Sequence, residues 1–279
     1  MPEKKGKGKG GYARAKKRQK KETVGQASLS VGQAHQRIRL QVHVPGLQYY
    51  VDRIKSGRPY SFVRHGDGEW VAGITHRRNR TSSGSQRLDI PSLQKDMYRS
   101  LTQCHIADNY IVGLRPSSLV PKKMRGVKEW LERNIPKGVR WHDCRVFYSS
   151  SYHGDLFPLI DTLRNLTMPL IFVGPARLEG LRNQGIFPKA QYITIPDRNC
   201  YQDRTRIMQN VLDAPRPAFI SFSAGPAAKI MIYQLFPTLG NVSFLFDFGS
   251  LWDIYVGRLT RKYHKKMTPE TIQGNLTGK

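Results

Sequence analysis

Residues 61–70 read Ser61-Phe62-Val63-Arg64-His65-Gly66-Asp67-Gly68-Glu69-Trp70. The start of this stretch is aromatic and β-branched, the composition of a buried strand, and it ends on a basic residue. Two glycines then permit a tight, exposed backbone, and two carboxylates stand two residues apart. A pair of this kind at the carboxyl end of a strand suits a hard divalent cation, which takes oxygen ligands and keeps water or phosphate in its remaining positions. Arg64 and His65 stand where phosphate charge would be met. An acidic Asp-Gly turn with no function accounts equally well for Gly66 to Glu69 taken alone.

Outward from this stretch, short apolar runs alternate with helical patterns. Strands are expected at 61–64, 110–114, 145–148, 170–173, 192–195, 218–222 and 244–248. Leu93, Met97 and Leu101 recur every four residues in 91–104, behind a proline in the first turn. Apolar stripes also mark helices over 155–166 and 201–212, and 226–236 is apolar nearly all round, as in a buried helix. Strands alternating with helices of this length predict an α/β fold with a doubly wound, mostly parallel sheet, whose ligands bind at the carboxyl ends of the strands.

Arg64-His65-Gly66-Asp67-Gly68-Glu69 resembles the RxGDGE signature of GT-D-type glycosyltransferases. Phe219–Lys229 (FISFSAGPAAK) resembles the late strand, Gly-Pro-x-Ala turn and buried helix of that family. Phe246–Tyr255 (FDFGSLWDIY) resembles its closing Asp-x-Gly-x-x-Asp segment. The resemblance spans roughly residues 48–258, is weak in the middle, and departs at His65 and Ala227. It implies a Rossmann-like core and metal-dependent transfer from a nucleotide sugar, a uridine diphosphate sugar in particular. It also implies a divalent cation, Mn2+ or Mg2+, held by Asp67 and Glu69 with Arg64 beside them.

Two further constellations fall at strand ends. The small-residue turn 221–226 leaves backbone N–H groups free at a helix N-terminus, an anion site to which Ser221 and Ser223 add hydroxyls, with Gly225 at the turn and Lys229 one turn in. Packing alone also explains such a turn. Asp247 ends an apolar strand and Asp253 follows it. Both are candidates for the base that glycosyl transfer to a hydroxyl needs, and both equally suit a helix cap or an ion pair. Arg177, after another strand, is a further candidate for donor phosphate. Tyr152, His153 and Asp155 follow a strand and are placed to line the cleft. His142, Asp143 and Cys144 lack the second half of a zinc site. No P-loop lysine motif and no Gly-x-Ser-x-Gly is present, and no Gly-x-Gly-x-x-Gly stands between a strand and a helix.

The chain of 279 residues carries a formal charge of +26. Ten basic and two acidic residues in 1–22 contribute +8, which leaves a body that is basic in its own right. Residues 1–40 are expected to be a disordered basic tail, 41–266 the glycosyltransferase-like domain, and 267–279 a polar tail. Arg77, Arg78, Arg80 and Arg87 form one basic cluster, and Arg258, Arg261, Lys262, Lys265 and Lys266 another. A field of this sign concentrates polyanions. The expected acceptor is accordingly a polyanion, a hydroxylated base in DNA being the form that unites a basic tail with sugar transfer. The alternatives are a nucleic-acid-binding protein that has lost catalysis, and an enzyme acting on protein or cell-envelope glycans. Three widely spaced cysteines fit a reducing cytoplasm, that of a host cell if the protein is viral. No apolar run reaches the roughly 18 residues of a membrane span.

Overall fold

The computed structural model describes residues 42–75, 82–83, 86–115 and 125–279. Seven strands form one sheet: β1 (Ser61–Arg64), β4 (Tyr110–Leu114), β5 (Arg140–Asp143), β6 (Leu170–Pro175), β7 (Gln191–Ile195), β8 (Phe219–Phe222) and β9 (Phe244–Asp247). Their order is β5-β4-β1-β9-β8-β6-β7, and every pairing is parallel. The minimal strands β2 (Ser82–Ser83) and β3 (Gln86–Arg87) pair antiparallel apart from it.

A parallel sheet must be covered on both faces, and the alternation along its strands delivers that. Val63, Val112, Ile220 and Leu245 face one core with α3 (Pro91–Thr102), α4 (Arg125–Asn134), α7 (Arg204–Leu212) and α8 (Pro226–Leu239). Phe62, Ile111, Phe219 and Phe246 face the other, with α1 (Leu47–Lys55), α5 (Val146–His153) and α6 (Phe157–Arg164). This second core is strongly aromatic. The Phe219 and Phe246 rings stack at 4.9 Å, and Phe62 meets Phe147 edge-on at 5.2 Å.

The α/β fold with a doubly wound parallel sheet is as the alternation predicts, with three corrections. The strand expected at 145–148 is helix α5, and the strand of that region lies earlier, at β5. Val146, Phe147 and Tyr148 favour a strand by propensity. However, the backbone N–H of Arg145 bonds to Asp143 Oδ1 at 2.9 Å, turning the chain directly after β5, and Phe147 is then buried from the helix. Tertiary burial overrides a propensity worth only ~1 kcal/mol.

Helices α1 and α4 precede or interrupt the expected elements, each carried by a short stripe such as Tyr50, Val51 and Ile54. The third correction concerns 267–279, where Pro269–Thr277 form α9, begun by Thr268 Oγ1 accepting from the Thr271 N–H. Buried Asn275 ties it down, donating to Ser151 O at 2.7 Å and accepting from Leu156 N–H at 2.8 Å.

Asn275→Ala should leave both buried backbone partners unsatisfied and destabilise the domain by about 2 kcal/mol. The urea unfolding midpoint checks this; an unchanged midpoint would mean that α9 is not part of the cooperative unit.

Candidate functional site at the carboxyl edge of the sheet

Strand β1 leads directly into the Gly66–Glu69 motif. Asp67–Trp70 form one short helical turn, α2, which continues as a π-helical turn over Val71–Thr75. Glu69 Oε2 reaches back to accept the Gly66 N–H at 2.9 Å, half of a capping box. Oε1 of the same carboxylate lies 3.1 Å from the Lys229 ammonium. Lys229 comes from the first turn of α8, and its Nζ also lies 2.9 Å from Asp247 Oδ2 and donates to Gly225 O at 2.9 Å. Three chain segments far apart in sequence therefore converge on one ammonium.

Asp247 closes the cluster at the end of β9. It has no exposed surface, and it accepts from the backbone N–H groups of Arg64 at 3.3 Å and Gly249 at 3.0 Å. The guanidinium of Arg64 donates to Cys144 O at 3.0 Å and Phe248 O at 2.6 Å. Two backbone carbonyls thus aim it at the sheet edge. Gly249 makes room for it: with φ at +58°, a Cβ there would lie 2.9 Å from Arg64 Nη1.

Burial works against charge at each of these groups, and ion pairing outweighs it at Glu69 and Lys229. Burial alone would raise the Glu69 carboxyl, but Lys229 and the backbone hydrogen bonds hold it at about 2. Burial would lower Lys229, but Asp247 and Glu69 raise it above the usual lysine value. His65 has no such help. It is fully buried, neither ring nitrogen has a partner, and burial pushes its pKa down to about 3. It is neutral at pH 7 and supplies no positive charge to a phosphate, contrary to the role expected of it from its place in the motif.

The turn before α8 is the second polar feature of this edge. Gly225 sits at φ 55° and ψ −141°, a conformation open in practice only to glycine. It starts a 14-residue helix at the end of β8, where Pro226 carries no N–H and the Ala228 N–H bonds to Gly225 O at 3.2 Å, so the Ala227 N–H and the positive end of the helix dipole are what this turn offers. Ser223, almost fully buried beside this turn, has a hydroxyl with no partner. Ser221 lies within β8, fully buried between its sheet neighbours, so its side chain is a core group.

Asp253 stands apart from this cluster. Its carboxylate accepts from Thr260 Oγ1 at 2.6 Å and lies 3.5 Å from Arg177 Nη2. Arg177 in turn pairs with Asp197. Asp253 and Arg177 are therefore committed to each other, and Asp253 is only 4% exposed. His142 is a buried partner of Tyr50, their Nδ1 and OH 2.8 Å apart. Tyr152 and His153 lie in the last turn of α5, where His153 Nδ1 stands 2.9 Å from Ser149 O.

Arg258, Arg261, Lys262, Lys265 and Lys266 are exposed on the segment after β9. Arg261 Nε donates to Ser250 Oγ at 2.7 Å, and the Tyr263 ring stacks on Tyr148 at 5.2 Å. These contacts anchor the basic segment beside the loop that carries Gly249. Nothing in the residue pattern announced this Tyr148–Tyr263 stack. Arg87, from the other cluster, pairs with Asp89, whereas Arg77, Arg78 and Arg80 and the tail 1–40 lie outside the described residues.

The described residues fit a divalent cation poorly. Among them no three His, Cys, Asp or Glu side chains gather as a metal site. Glu69 offers a carboxylate already engaged through both oxygens. The side chain of Asp67 lies outside the described set.

No protein-family model matches the chain, and no curated protein does. Solved structures match over most of its length. A protein described as a new glycosyltransferase (DUF1792) from Streptococcus sanguinis superposes with a TM-score of 0.57 at 19% identity, covering 80% of this chain and 87% of that one. The highly conserved domain of unknown function 1792, described as having a distinct glycosyltransferase fold, gives 0.55 at 19%, covering 77% and 80%. A selenomethionine-substituted DUF1792 domain gives 0.54 at 18%, over the same shares of the two chains. This chain has the DUF1792 fold. Among its described residues no helix is long and apolar enough to cross a membrane.

Two predictions follow from the buried charges and the turn. Because Glu69 is depressed, its stabilising contribution is complete above about pH 4.5 and is lost as the pH falls towards 2. Buried neutral His65 adds acid sensitivity from about pH 6.5 down to about 3. Glu69→Gln should therefore flatten the fall in melting temperature between pH 5 and 2.5, and a slope identical to wild type would contradict the ion pair. Gly225→Ala should cost about 1–3 kcal/mol from backbone strain; a chemical denaturation curve matching wild type would show that the turn relaxes freely.

Proposed function

We propose that this chain transfers a glycosyl group from a nucleotide-sugar donor, a uridine diphosphate sugar by the motif resemblance, to a hydroxyl of an anionic acceptor. The observation that carries the proposal is the gathering, at the carboxyl ends of β1, β8 and β9, of the Arg64 guanidinium, the start of α8 and the unpartnered Ser223 hydroxyl. Ligands of doubly wound sheets bind at this edge, and these groups suit a diphosphate. As the bond from the anomeric carbon to the phosphate oxygen breaks, negative charge grows on the leaving diphosphate. Fixed donors already aimed at that position stabilise it without reorganisation.

Asp247 serves this reaction by position. With no exposed surface it does not reach an acceptor hydroxyl, but it fixes the Arg64 backbone and the Lys229 ammonium. Asp253 holds Arg177 and the chain leading to the basic segment in the same manner. The glycosyltransferase fold of the solved DUF1792 structures supports the reaction class. No step of the proposal passes through a metal ion.

The acceptor reading rests on charge. Arg258, Arg261, Lys262, Lys265 and Lys266 lie exposed on the segment tied beside the site, where they would draw an anionic acceptor towards the donor. A hydroxylated base in DNA suits this surface, and the basic tail would add affinity through counterion release.

Two measurements test the proposal. A screen of nucleotide sugars should find one hydrolysed or transferred by wild type, and Arg64→Ala should lower kcat/KM by about 100-fold, the loss of a charge-assisted contact in the transition state. Fluorescence anisotropy should show duplex DNA binding that weakens in Arg261→Glu/Lys262→Glu with a shallower salt dependence. DNA binding without turnover of any donor would favour a binding protein on an enzyme's fold. Turnover without DNA binding would return the acceptor to protein or envelope glycans.

A further inference from the structure

Helix α8 carries one charged residue, Lys229, and the rest of its first two turns, Pro226–Ile232, is apolar. Nothing in the packing of the helix calls for a lysine there, because Ala228, Ile230 and Met231 beside it are buried against the core. The position is explained by what the ammonium touches. An ammonium has three N–H donors, and this one has three oxygen partners: Glu69 Oε1 at 3.1 Å, Asp247 Oδ2 at 2.9 Å and Gly225 O at 2.9 Å. It is coordinated as a small cation is, by two carboxylates and a carbonyl.

The charge of the cluster points the same way. Glu69 and Asp247 contribute two negative charges, and Lys229 and Arg64 two positive ones, so the described groups sum to zero. A hard divalent cation is held by carboxylate oxygens with charge to spare. Here the remaining oxygens accept from Gly66, Gly249 and Arg64 backbone N–H groups. To sit between Glu69 and Asp247, a metal would have to expel a buried ammonium whose carboxylate partners among the described residues are these two.

We infer that the Lys229 ammonium takes the place of a divalent cation in this chain, so that the diphosphate of the donor binds at this edge without metal. The inference rests on the donor reading given above. Lys229 acts as a positioning residue: its own N–H groups are all engaged. It offsets one of the two carboxylate charges and fixes both carboxylates in place, while Arg64 offsets the other, so the described groups present no net negative charge to a diphosphate.

The test uses the full chain with uridine diphosphate as the probe, and reads Mn2+ binding by the loss of its free electron-paramagnetic-resonance signal. Wild type should bind the nucleotide with affinities in EDTA and in Mn2+ that agree within about twofold, and should bind little Mn2+ alone. Lys229→Met should weaken nucleotide binding in EDTA by about tenfold or more, as the cluster then presents a net negative charge to the ligand. The same variant should gain Mn2+ binding and recover nucleotide affinity when Mn2+ is added. If Lys229→Met does not fold, Lys229→Arg keeps the positive charge and should retain EDTA-insensitive binding. Nucleotide binding that disappears in EDTA would overturn the inference and leave the donor reading standing. Stoichiometric Mn2+ binding by wild type that is lost in Glu69→Gln would also overturn it. Absence of nucleotide binding in both EDTA and Mn2+ would sink the donor reading itself. A Mn2+ site appearing only in Lys229→Met would still show the lysine in a cation's place.

Discussion

A buried ammonium held between two buried carboxylates organises this molecule's functional edge. Removing one member of such a set leaves an uncompensated charge in the interior, at a cost of about 3–5 kcal/mol. The contacts of Lys229 with Glu69 and Asp247 therefore bind the motif after β1, the start of α8 and the end of β9 into one unit. Arg64 depends on that unit in turn. Its backbone N–H bonds to Asp247, and its guanidinium is aimed by Phe248 O, the residue after Asp247, and by Cys144 O after β5. The result is a preorganised rim on which the Arg64 guanidinium, held by two backbone carbonyls, lies at the sheet edge where a ligand of a doubly wound sheet sits.

The rim has a second clamp. Arg177, after β6, pairs with Asp197 beyond β7 and with Asp253 beyond β9. Asp253 also takes the Thr260 hydroxyl, from the start of the basic segment. The two clamps share β9 and its following loop, where Gly249 leaves space for the Arg64 side chain. One fixes the charged groups at the ends of β1 and β9 and the start of α8. The other holds the start of an exposed run of lysines and arginines.

Much of the fold was legible because a two-sided core writes itself into the strands. β1, β4, β6, β8 and β9 are short apolar runs with most positions buried, and the edge strand β7 buries Ile193 and Ile195 between more exposed neighbours. What was not legible depended on tertiary contacts. The Val146–Tyr148 run carries strand propensity but is helical, because Asp143 turns the chain and Phe147 finds its core from a helix. Helix α9 looked like a polar tail because it is secured by a buried polar residue, Asn275, with only Ile272 and Leu276 packed against the core. At the site, the motif was visible in the sequence, and the partner of its glutamate was not. Lys229 lies 160 residues from Glu69 and reads locally as one more basic group near a phosphate. The informative signal was the one charge in a mostly apolar helix, since a buried charge requires a buried counter-charge. His65 shows the same limit from the other side: a histidine beside an arginine suggests phosphate, and only its burial reveals it to be neutral.

The central claim is that a nucleoside diphosphate is received at this edge by fixed protein charge. The most direct measurement is a crystal structure of the full chain soaked with uridine diphosphate in EDTA. The account predicts phosphate density at the carboxyl ends of β1, β8 and β9, within hydrogen-bond reach of Arg64 and the first turn of α8, with Lys229 still between Glu69 and Asp247. Density in the polar hollow lined by Asp96, Arg99, Gln103, Tyr233 and Gln234, between α3 and α8, would contradict it.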